Sequence, residues 1–332
     1  MVEFGVSLPT GREGLMVPTG FASRETIVEA GALAEELGYQ SVWGNDHITV
    51  QDYRKHLRPK PAFFEPVVSL AAVSAVTEEI KLGTGILVLP WRTPALVVFA
   101  KQLTTLDVLS EGRVLLGIGT GAYREESAAL GISDRLRMMN EGLRAMRVLF
   151  NEDPASYEGK HVKFRDIEFY PRPIQKPFPI YLGRHLTTEK VIRWVARNSQ
   201  GWIPGLTPEQ FAEAMPRLKG YIEEYGRNIG DIDVVREISL SHGATREKAL
   251  RNYVESPAQS HYKSLSKGKR LIDFDEESKY SLIGTTNDII RGIQEYIDVG
   301  VTHFMFNIAV SNPSDLFKGM RSFAYDVMPS FL

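Results

Sequence analysis

The sequence predicts one α/β domain, a closed barrel of eight parallel strands that are each followed by a helix. Strand and helix patterns alternate eight times along the 332 residues. Gly-rich or polar turns also stand at the carboxyl ends of several predicted strands. An open doubly wound sheet would place G-x-G-x-x-G after its first strand, where this chain has PTGREG. We therefore expect a single (β/α)8 TIM barrel over residues 1–332, with insertions after strands 4 and 7.

Each strand is an apolar run that ends in small or polar residues ahead of a helix signal. Glu65-Pro66 and Asn312-Pro313 are typical of helix starts. Thr207-Pro208, Thr285 and the Thr187/Thr188 pair also predict capped helix starts. The predicted strands are 2–8, 41–46, 80–89, 113–119, 180–183, 201–204, 232–240 and 302–308.

Two long segments interrupt the alternation and are interpreted as elaborated connections. Residues 122–178 contain one amphipathic helix, at roughly 134–150, followed by a stretch whose prolines disfavour a central strand. Residues 243–283 carry a basic run, SKGKR, just before an acidic run, DFDEE. The basic run fits either a solvated loop or a lid over an anionic ligand.

The composition excludes several classes of protein. The formal net charge is −2 and no long basic stripe occurs, so we expect no nucleic-acid partner. Cysteine is absent, which excludes disulfides, thiolate catalysis and cysteine-bound metal. The apolar runs are far shorter than the ~20 residues that span a membrane, and no signal peptide is visible. We expect a cytoplasmic protein with no membrane partner and no bound metal.

The pair Asp46-His47 ends the second strand, and we expect it to be catalytic. Barrel enzymes build their sites at the carboxyl ends of the strands. A histidine there can move protons near neutral pH, and Asp46 would hold the orientation of its imidazole. The alternative is a surface dipeptide without a role. His242, which follows the seventh strand without an adjacent acid, is the nearest competitor.

Glycine segments mark three further positions where a ligand could approach the backbone. Gly85 breaks an otherwise apolar strand before Ile86, as a bulge or a close ligand approach would require. The run 117–121 could be a ligand loop or an ordinary tight turn, since it lacks Walker spacing. Arg184 and Thr187 could bind phosphate at a helix start or merely cap it. Aromatic residues that could wall a cavity are Tyr53, Phe63, Phe64, Trp91, Tyr123 and Trp202.

Taken together, these segments resemble the bacterial-luciferase-like family of flavin-dependent oxidoreductases. The resemblance rests on SVWGNDH, on the run from IKLGTGILVLPWRTP to LSEGRVLLGIGTGAYREE, on KPFPIYLGRHLTTE and on IGTTNDIIRGIQEYIDVGVTHFMF. Members are TIM barrels with a long insertion, often homodimers. They bind FMN, reduced flavin or, in some branches, the deazaflavin F420. We therefore expect a homodimer.

The resemblance also implies roles for individual residues. His47 matches the position that faces the reactive edge of the flavin. Gly85-Ile86 matches a non-prolyl cis peptide behind the ring in many members. The residues that match cofactor-contacting segments are Gly119, Thr120, Gly121, Tyr123, Gly183, Arg184, His185 and Thr187, with the last four in the segment that binds the ribityl phosphate. Gly119 and Thr120 stand where luciferases have a reactive cysteine and a phosphate-binding arginine, so light emission is not expected.

Three functions follow from the resemblance. The first is a monooxygenase that uses reduced FMN from a separate flavin reductase and acts on a small organic substrate. The alternative is an F420-dependent hydride-transferring oxidoreductase, with which Asp46 and the basic 263–270 loop are compatible. The third is a non-catalytic flavin-binding barrel, against which the presence of His47 argues.

Overall fold

The computed structural model describes residues 2–183, 187–265 and 280–331. Eight parallel strands follow one another around a closed barrel: the first pairs with the second and the eighth, and the sixth pairs with the seventh. The closed barrel that the alternation predicts is thus confirmed. In chain order, the strands β1 to β8 are Glu3–Ser7, Ser41–Gly44, Lys81–Thr84, Val114–Gly119, Ile180–Gly183, Gly201–Ile203, Asp233–His242 and His303–Ile308.

A helix follows each strand, and several helices begin at the predicted caps. Thr207 and Gln210 form a capping box, as do Thr285 and Asp288, and the Asn312 side chain accepts from a backbone N–H of the first turn. Among the described residues, no helix is long and apolar enough to cross a lipid bilayer. The helices that follow β1 to β8 are Ala30–Glu36 (after a π-helical turn, Glu25–Glu29), Pro66–Ser74, Leu96–Leu109, Arg135–Asn151, Glu189–Asn198, Pro208–Glu224, Thr286–Asp298 and Pro313–Asp326.

The two insertions add helices and short strands outside the barrel ring. The first contains the helix Arg124–Ala129 and an antiparallel hairpin, Ala155–Glu158 with Lys163–Ile167. The second contains the helices Arg246–Glu255 and Pro257–Leu265, and a strand, Leu282–Gly284, that pairs with β7. The SKGKR and DFDEE runs lie outside the described residues.

The third predicted strand is broken where the sequence placed a glycine. Residues 80–89 were expected to be one strand, but the chain forms β3 and then a separate short strand, Leu87–Val88. Both pair with β4. Between them the Gly85–Ile86 peptide bond is cis, so the sequence-based expectation of a cis peptide or bulge at this position is confirmed.

Side chains fill the barrel interior, so it is a packed core and not a pore. Because side chains alternate along a strand, Val42 points to the surrounding helices while Trp43 points inward. A Cβ on Gly83 would stand 2.2 Å from Trp43 Cε3, and one on Gly5 would stand 2.7 Å from Trp43 Nε1. Glycine is required at both positions to make room for the indole. The inner cluster is Trp43, Leu115, Tyr181, Ile203, Val235 and Met305.

A polar network closes the amino-terminal end of the barrel. The Lys81 ammonium lies 2.6 Å and 2.8 Å from the two carboxylate oxygens of Glu3. His303 is fully buried, with Nε2 2.7 Å from Ser41 Oγ and Nδ1 3.4 Å from Glu3 Oε2. Burial lowers the pKa of His303 to about 4, so its ring is neutral at neutral pH.

Candidate active site

Asp46 lies just beyond β2, and its carboxylate does not hold the His47 ring as the sequence analysis expected. Arg92 Nη2 lies 3.0 Å from Asp46 Oδ1, Arg92 Nη1 contacts Oδ2, and the Val88 backbone N–H donates to Oδ2 at 2.9 Å. Burial raises the pKa of the Asp46 carboxyl, and Arg92 opposes that shift. Asp46 therefore joins the end of β2 to the segment after β3.

Glu126 makes the contact that was assigned to Asp46. Its Oε2 lies 2.9 Å from His47 Nδ1, and its Oε1 accepts from the backbone N–H groups of Ile48 at 3.1 Å and Thr49 at 3.4 Å. The side chain is 1% exposed. Glu126 was missed because it lies 79 positions from His47 in a short helix after β4. Glu126 ends the run GAYREE, which follows β4. The rule that sites form at the carboxyl ends of strands could therefore have identified it.

Aromatic rings from two loops stand beside His47. The Phe63 ring centroid is 5.4 Å from that of His47, and the Tyr123 centroid is 5.9 Å away. Phe63 belongs to the loop after β2 and Tyr123 to the loop after β4. The two rings form an aromatic wall beside His47. Trp202 does not join this wall, because it is fully buried and packs on Phe211 outside the barrel interior.

The second insertion contributes His261, which the sequence analysis did not identify. Its Nδ1 lies 2.9 Å from the Tyr53 hydroxyl and 3.1 Å from the Tyr123 hydroxyl. Burial lowers the pKa of His261 to about 3, and the nearby charges of His47 and Arg54 add to that shift. His261 is therefore uncharged at neutral pH. The helix Pro257–Leu265 thus packs over the same end of the barrel as His47.

Three predicted cofactor segments meet around the side chain of Ile86. A Cβ on Gly119 would lie 2.1 Å from Ile86 Cδ1, and one on Gly183 would lie 2.4 Å from Ile86 Cγ2. The structure therefore brings together the ends of β3, β4 and β5. Gly121 has a φ of +80°, in the left-handed region that favours glycine. The Arg135 guanidinium fixes this turn by donating to the carbonyl oxygens of Thr120 and Gly121.

The predicted phosphate segment is described only in part. Arg184 and His185 lie outside the described residues. Thr188, and not Thr187, is the N-cap of the helix Glu189–Asn198, and its side chain makes no capping hydrogen bond. The Thr187 carbonyl oxygen accepts from Arg217 Nη1 at 3.1 Å. The sequence-based expectation that a threonine hydroxyl caps this helix is thus wrong for its N-cap residue, because the Thr188 side chain accepts no backbone N–H.

Buried polar atoms without partners lie in the uppermost inward-facing layer of the barrel. Glu237 Oε1 lies 3.0 Å from Asn307 Nδ2 and 3.3 Å from both terminal nitrogens of Arg12. Asn307 Oδ1 and Ser7 Oγ are buried and have no hydrogen-bond partner among the described residues. An unpaired buried polar atom costs roughly 1–3 kcal/mol, so this layer suits a ligand that has hydrogen-bonding groups along its edge.

The chain is similar to known proteins over most of its length. The model of the family described as luciferase-like monooxygenase matches residues 2–303. An F420-dependent glucose-6-phosphate dehydrogenase of Amycolatopsis mediterranei is 28% identical over 323 residues, which are 91% of this chain and 93% of that protein. A counterpart from Kineococcus radiotolerans is 29% identical and covers 91% and 92%.

Solved structures show the same fold at lower identity. The coenzyme F420-dependent tetrahydromethanopterin reductase of Methanopyrus kandleri superposes with a TM-score of 0.76 at 21% identity, covering 100% of this chain and 99% of that one. A monooxygenase of Streptomyces bottropensis superposes with a TM-score of 0.81 at 23% identity, covering 99% and 100%.

Proposed function

The chain belongs to the luciferase-like monooxygenase family, and from that premise we propose that it is an F420-dependent oxidoreductase that transfers a hydride to or from an organic substrate. Its similarity to F420-dependent dehydrogenases over nine-tenths of both chains carries the proposal. From the sequence alone, a monooxygenase using reduced FMN and oxygen was the first expectation. The full-length relatives favour F420, the alternative, instead.

The residues at the barrel mouth fit a flat, polar-edged cofactor. Ser7 Oγ and Asn307 Oδ1 supply unpartnered polar atoms in the top layer of the barrel. The glycines around Ile86 keep the ends of β4 and β5 close to it. By the family resemblance, Gly119, Thr120 and Gly121 would contact the cofactor. Gly183, Arg184, His185 and Thr187 would bind its phosphate, with Thr187 two residues before the helix Glu189–Asn198.

The chemistry divides between the cofactor and this chain. When bound, F420 supplies a carbon that accepts or returns a hydride. His47 would take the hydroxyl proton of an alcohol substrate as the carbonyl forms, or return it in the reverse direction. The aromatic wall of Phe63 and Tyr123 would hold the substrate beside His47 and exclude water. Asp46, bound to Arg92, would act only indirectly by fixing the chain on which His47 stands.

Cofactor binding tests the proposal. Purified protein is titrated with F420 and, separately, with FMN, and the change in cofactor fluorescence is followed. We expect saturable binding of F420 that is at least tenfold tighter than that of FMN. Tighter binding of FMN would favour the monooxygenase supplied by a separate reductase. Binding of either cofactor without turnover of any alcohol, ketone or aldehyde would favour a non-catalytic barrel.

We also propose that the protein forms homodimers, as the family resemblance suggests. The adjacent helices Pro66–Ser74 and Leu96–Leu109 expose Val68 at 66%, Val98 at 62% and Leu109 at 71%. Exposed apolar residues on two neighbouring helices are typical of a surface that another protein covers. Size-exclusion chromatography with light scattering gives the mass directly. A monomer at micromolar concentration would contradict the proposal.

A further inference from the structure

We infer that Glu126 is a positioning residue that sets the tautomer of His47, leaving Nε2 as the nitrogen that accepts the substrate proton. This inference rests on the proposed function only for its catalytic consequence. The tautomer itself depends on contacts among Glu126, His47, Gln51 and two backbone N–H groups, all of which belong to the described part of the chain.

The protonation of Glu126 follows from what surrounds its two oxygens. Oε1 faces two donors, the backbone N–H groups of Ile48 and Thr49. A backbone N–H cannot accept a hydrogen bond, so a proton on Oε1 would have no acceptor there. Oε2 faces His47 Nδ1 at 2.9 Å. A carboxylate, which only accepts hydrogen bonds, matches the two backbone donors at Oε1.

A carboxylate in that position decides which imidazole nitrogen carries the proton. If Nδ1 held a lone pair, it would face the Oε2 lone pairs across 2.9 Å with no hydrogen between them. With the proton on Nδ1, the same contact is a hydrogen bond. In the neutral ring Nε2 then carries the lone pair, and no partner for it is found among the described residues.

Within the described ranges, Gln51 makes the contact with His47 that could suggest the opposite tautomer. Its Nε2 lies 3.0 Å from His47 Nδ1 and 3.2 Å from the Thr49 carbonyl oxygen. The amide can satisfy one of its hydrogens on Thr49, so it does not need Nδ1 as an acceptor. Among the described residues, Oε2 of the carboxylate has no donor other than His47, and the carboxylate's charge makes its hydrogen bond the stronger one. The hydrogen bond to Glu126, and not the contact with Gln51, therefore determines the tautomer of His47.

Glu126→Gln makes a sharp test because the two sides of the glutamine amide differ. The side that faces Ile48 and Thr49 must be the oxygen, since two N–H donors point at it. The amide nitrogen then faces His47 Nδ1 and donates to it. The imidazole would respond by moving its proton to Nε2, so the shape of the site is kept and the tautomer is reversed.

The tautomer is measured by long-range ¹H–¹⁵N NMR on protein labelled at its seven histidines, without cofactor, at about pH 8, where an ordinary imidazole is neutral. His47 is assigned from the loss of its signals in His47→Gln. We expect His47 to be protonated on Nδ1 in the native protein and on Nε2 in Glu126→Gln. Glu125→Gln, one residue away, is the matched control and should leave the native pattern. A native His47 protonated on Nε2 overturns the inference without any variant.

Turnover gives the second measurement. Wrong-tautomer variants of histidine bases lose most of the proton-transfer contribution, so Glu126→Gln should lower kcat by ~10²–10⁴-fold with little change in F420 affinity. A reversed tautomer with full turnover would show that His47 is not the base, which contradicts the proposed function but not the tautomer assignment. An unchanged tautomer contradicts the inference and leaves the proposed function intact.

Discussion

The two ends of the barrel use the same residue types for different purposes. At the amino-terminal end, His303 is fully buried between Ser41 and Glu3, and Lys81 is paired with Glu3. At the carboxyl end, the His47 side chain is 12% exposed and Glu126 holds only its Nδ1.

Each end leaves buried polar atoms without hydrogen-bond partners among the described residues: His303 Nδ1 at the amino-terminal end and two side-chain oxygens at the carboxyl end. Ser7 Oγ and Asn307 Oδ1, buried without partners among the described residues, lie in the layer nearest the carboxyl end. The ionised side chains Lys81 and Glu3 at the other end are paired with each other. Changes at the amino-terminal end should therefore alter stability, and changes at the carboxyl end should alter binding and turnover.

The largest effect is expected from His47→Gln. The variant removes the proton carrier at the carboxyl end, so kcat should fall by ~10²–10⁴-fold while the dissociation constant of F420 changes little. Steady-state kinetics and fluorescence titration measure the two quantities. His242→Gln is the matched control. His242 bonds to Thr286 and Ser322, away from the His47 wall, and its loss should affect turnover much less. Full turnover in the His47 variant would show that the Asp46-His47 pair has a structural role and not a catalytic one.

Gly119→Ala tests the close approach around Ile86. The new methyl group would displace Ile86 and would also press on the Gly183 carbonyl oxygen, 3.1 Å away. Overpacking of this kind costs ~1–3 kcal/mol, so we expect cofactor affinity to fall by roughly tenfold or more. Gly220→Ala is the control, because a Cβ there meets no atom within 4 Å. Equal cofactor affinity in both variants would place the cofactor away from β4.

The pH dependence of stability tests the amino-terminal end. The pKa of His303 is about 4 in the folded chain and about 6.5 when unfolded. The unfolded state therefore binds more protons in this window, and stability is lost as the pH falls from about 6.5 towards 4. Between pH 7 and pH 5 the loss should be about 2 kcal/mol from His303. His261, whose pKa is also lowered, adds a loss in the same direction.

Urea unfolding of the native protein and of His303→Gln at several pH values separates this contribution. The variant should show a shallower pH dependence, with a kcat at neutral pH close to that of the native enzyme. Parallel pH profiles in the two proteins would show that His303 does not titrate as its burial implies.

The smallest effect is expected from Thr187→Ala. If the Thr187 hydroxyl binds the cofactor phosphate, its loss should weaken F420 binding by about 1 kcal/mol, roughly fivefold, as for one hydrogen bond. Thr188→Ala is the neighbouring control, since the Thr188 side chain makes no capping hydrogen bond. Isothermal titration calorimetry compares the two. Equal affinities would place the phosphate away from Thr187.

The sequence predicted the barrel well because strand–helix alternation and caps are local signals. His47, Gly85 and Gly119 lie near the carboxyl ends of predicted strands, so the sequence placed them at one end of the barrel, where the structure has them. The partners of these residues could not be predicted. Asp46 is adjacent to His47 in sequence, but neighbouring residues of an extended chain point apart, and the carboxylate reaches Arg92 instead. Glu126 and His261 reach the site from helices of the insertions. Hydrophobic periodicity in the sequence does not predict how those helices pack on the barrel.

Hydride transfer through F420 without oxygen, with His47 moving the proton, is the activity proposed for this barrel. The most direct test is an anaerobic reaction of purified protein, F420 and a panel of secondary alcohols and glucose 6-phosphate, following the absorbance of oxidised F420. We predict loss of that absorbance without oxygen for at least one substrate, and a rate slower by ~10²–10⁴-fold in His47→Gln. Turnover that requires FMN and molecular oxygen, with no reduction of F420 by any substrate, would show that the protein is not an F420-dependent oxidoreductase.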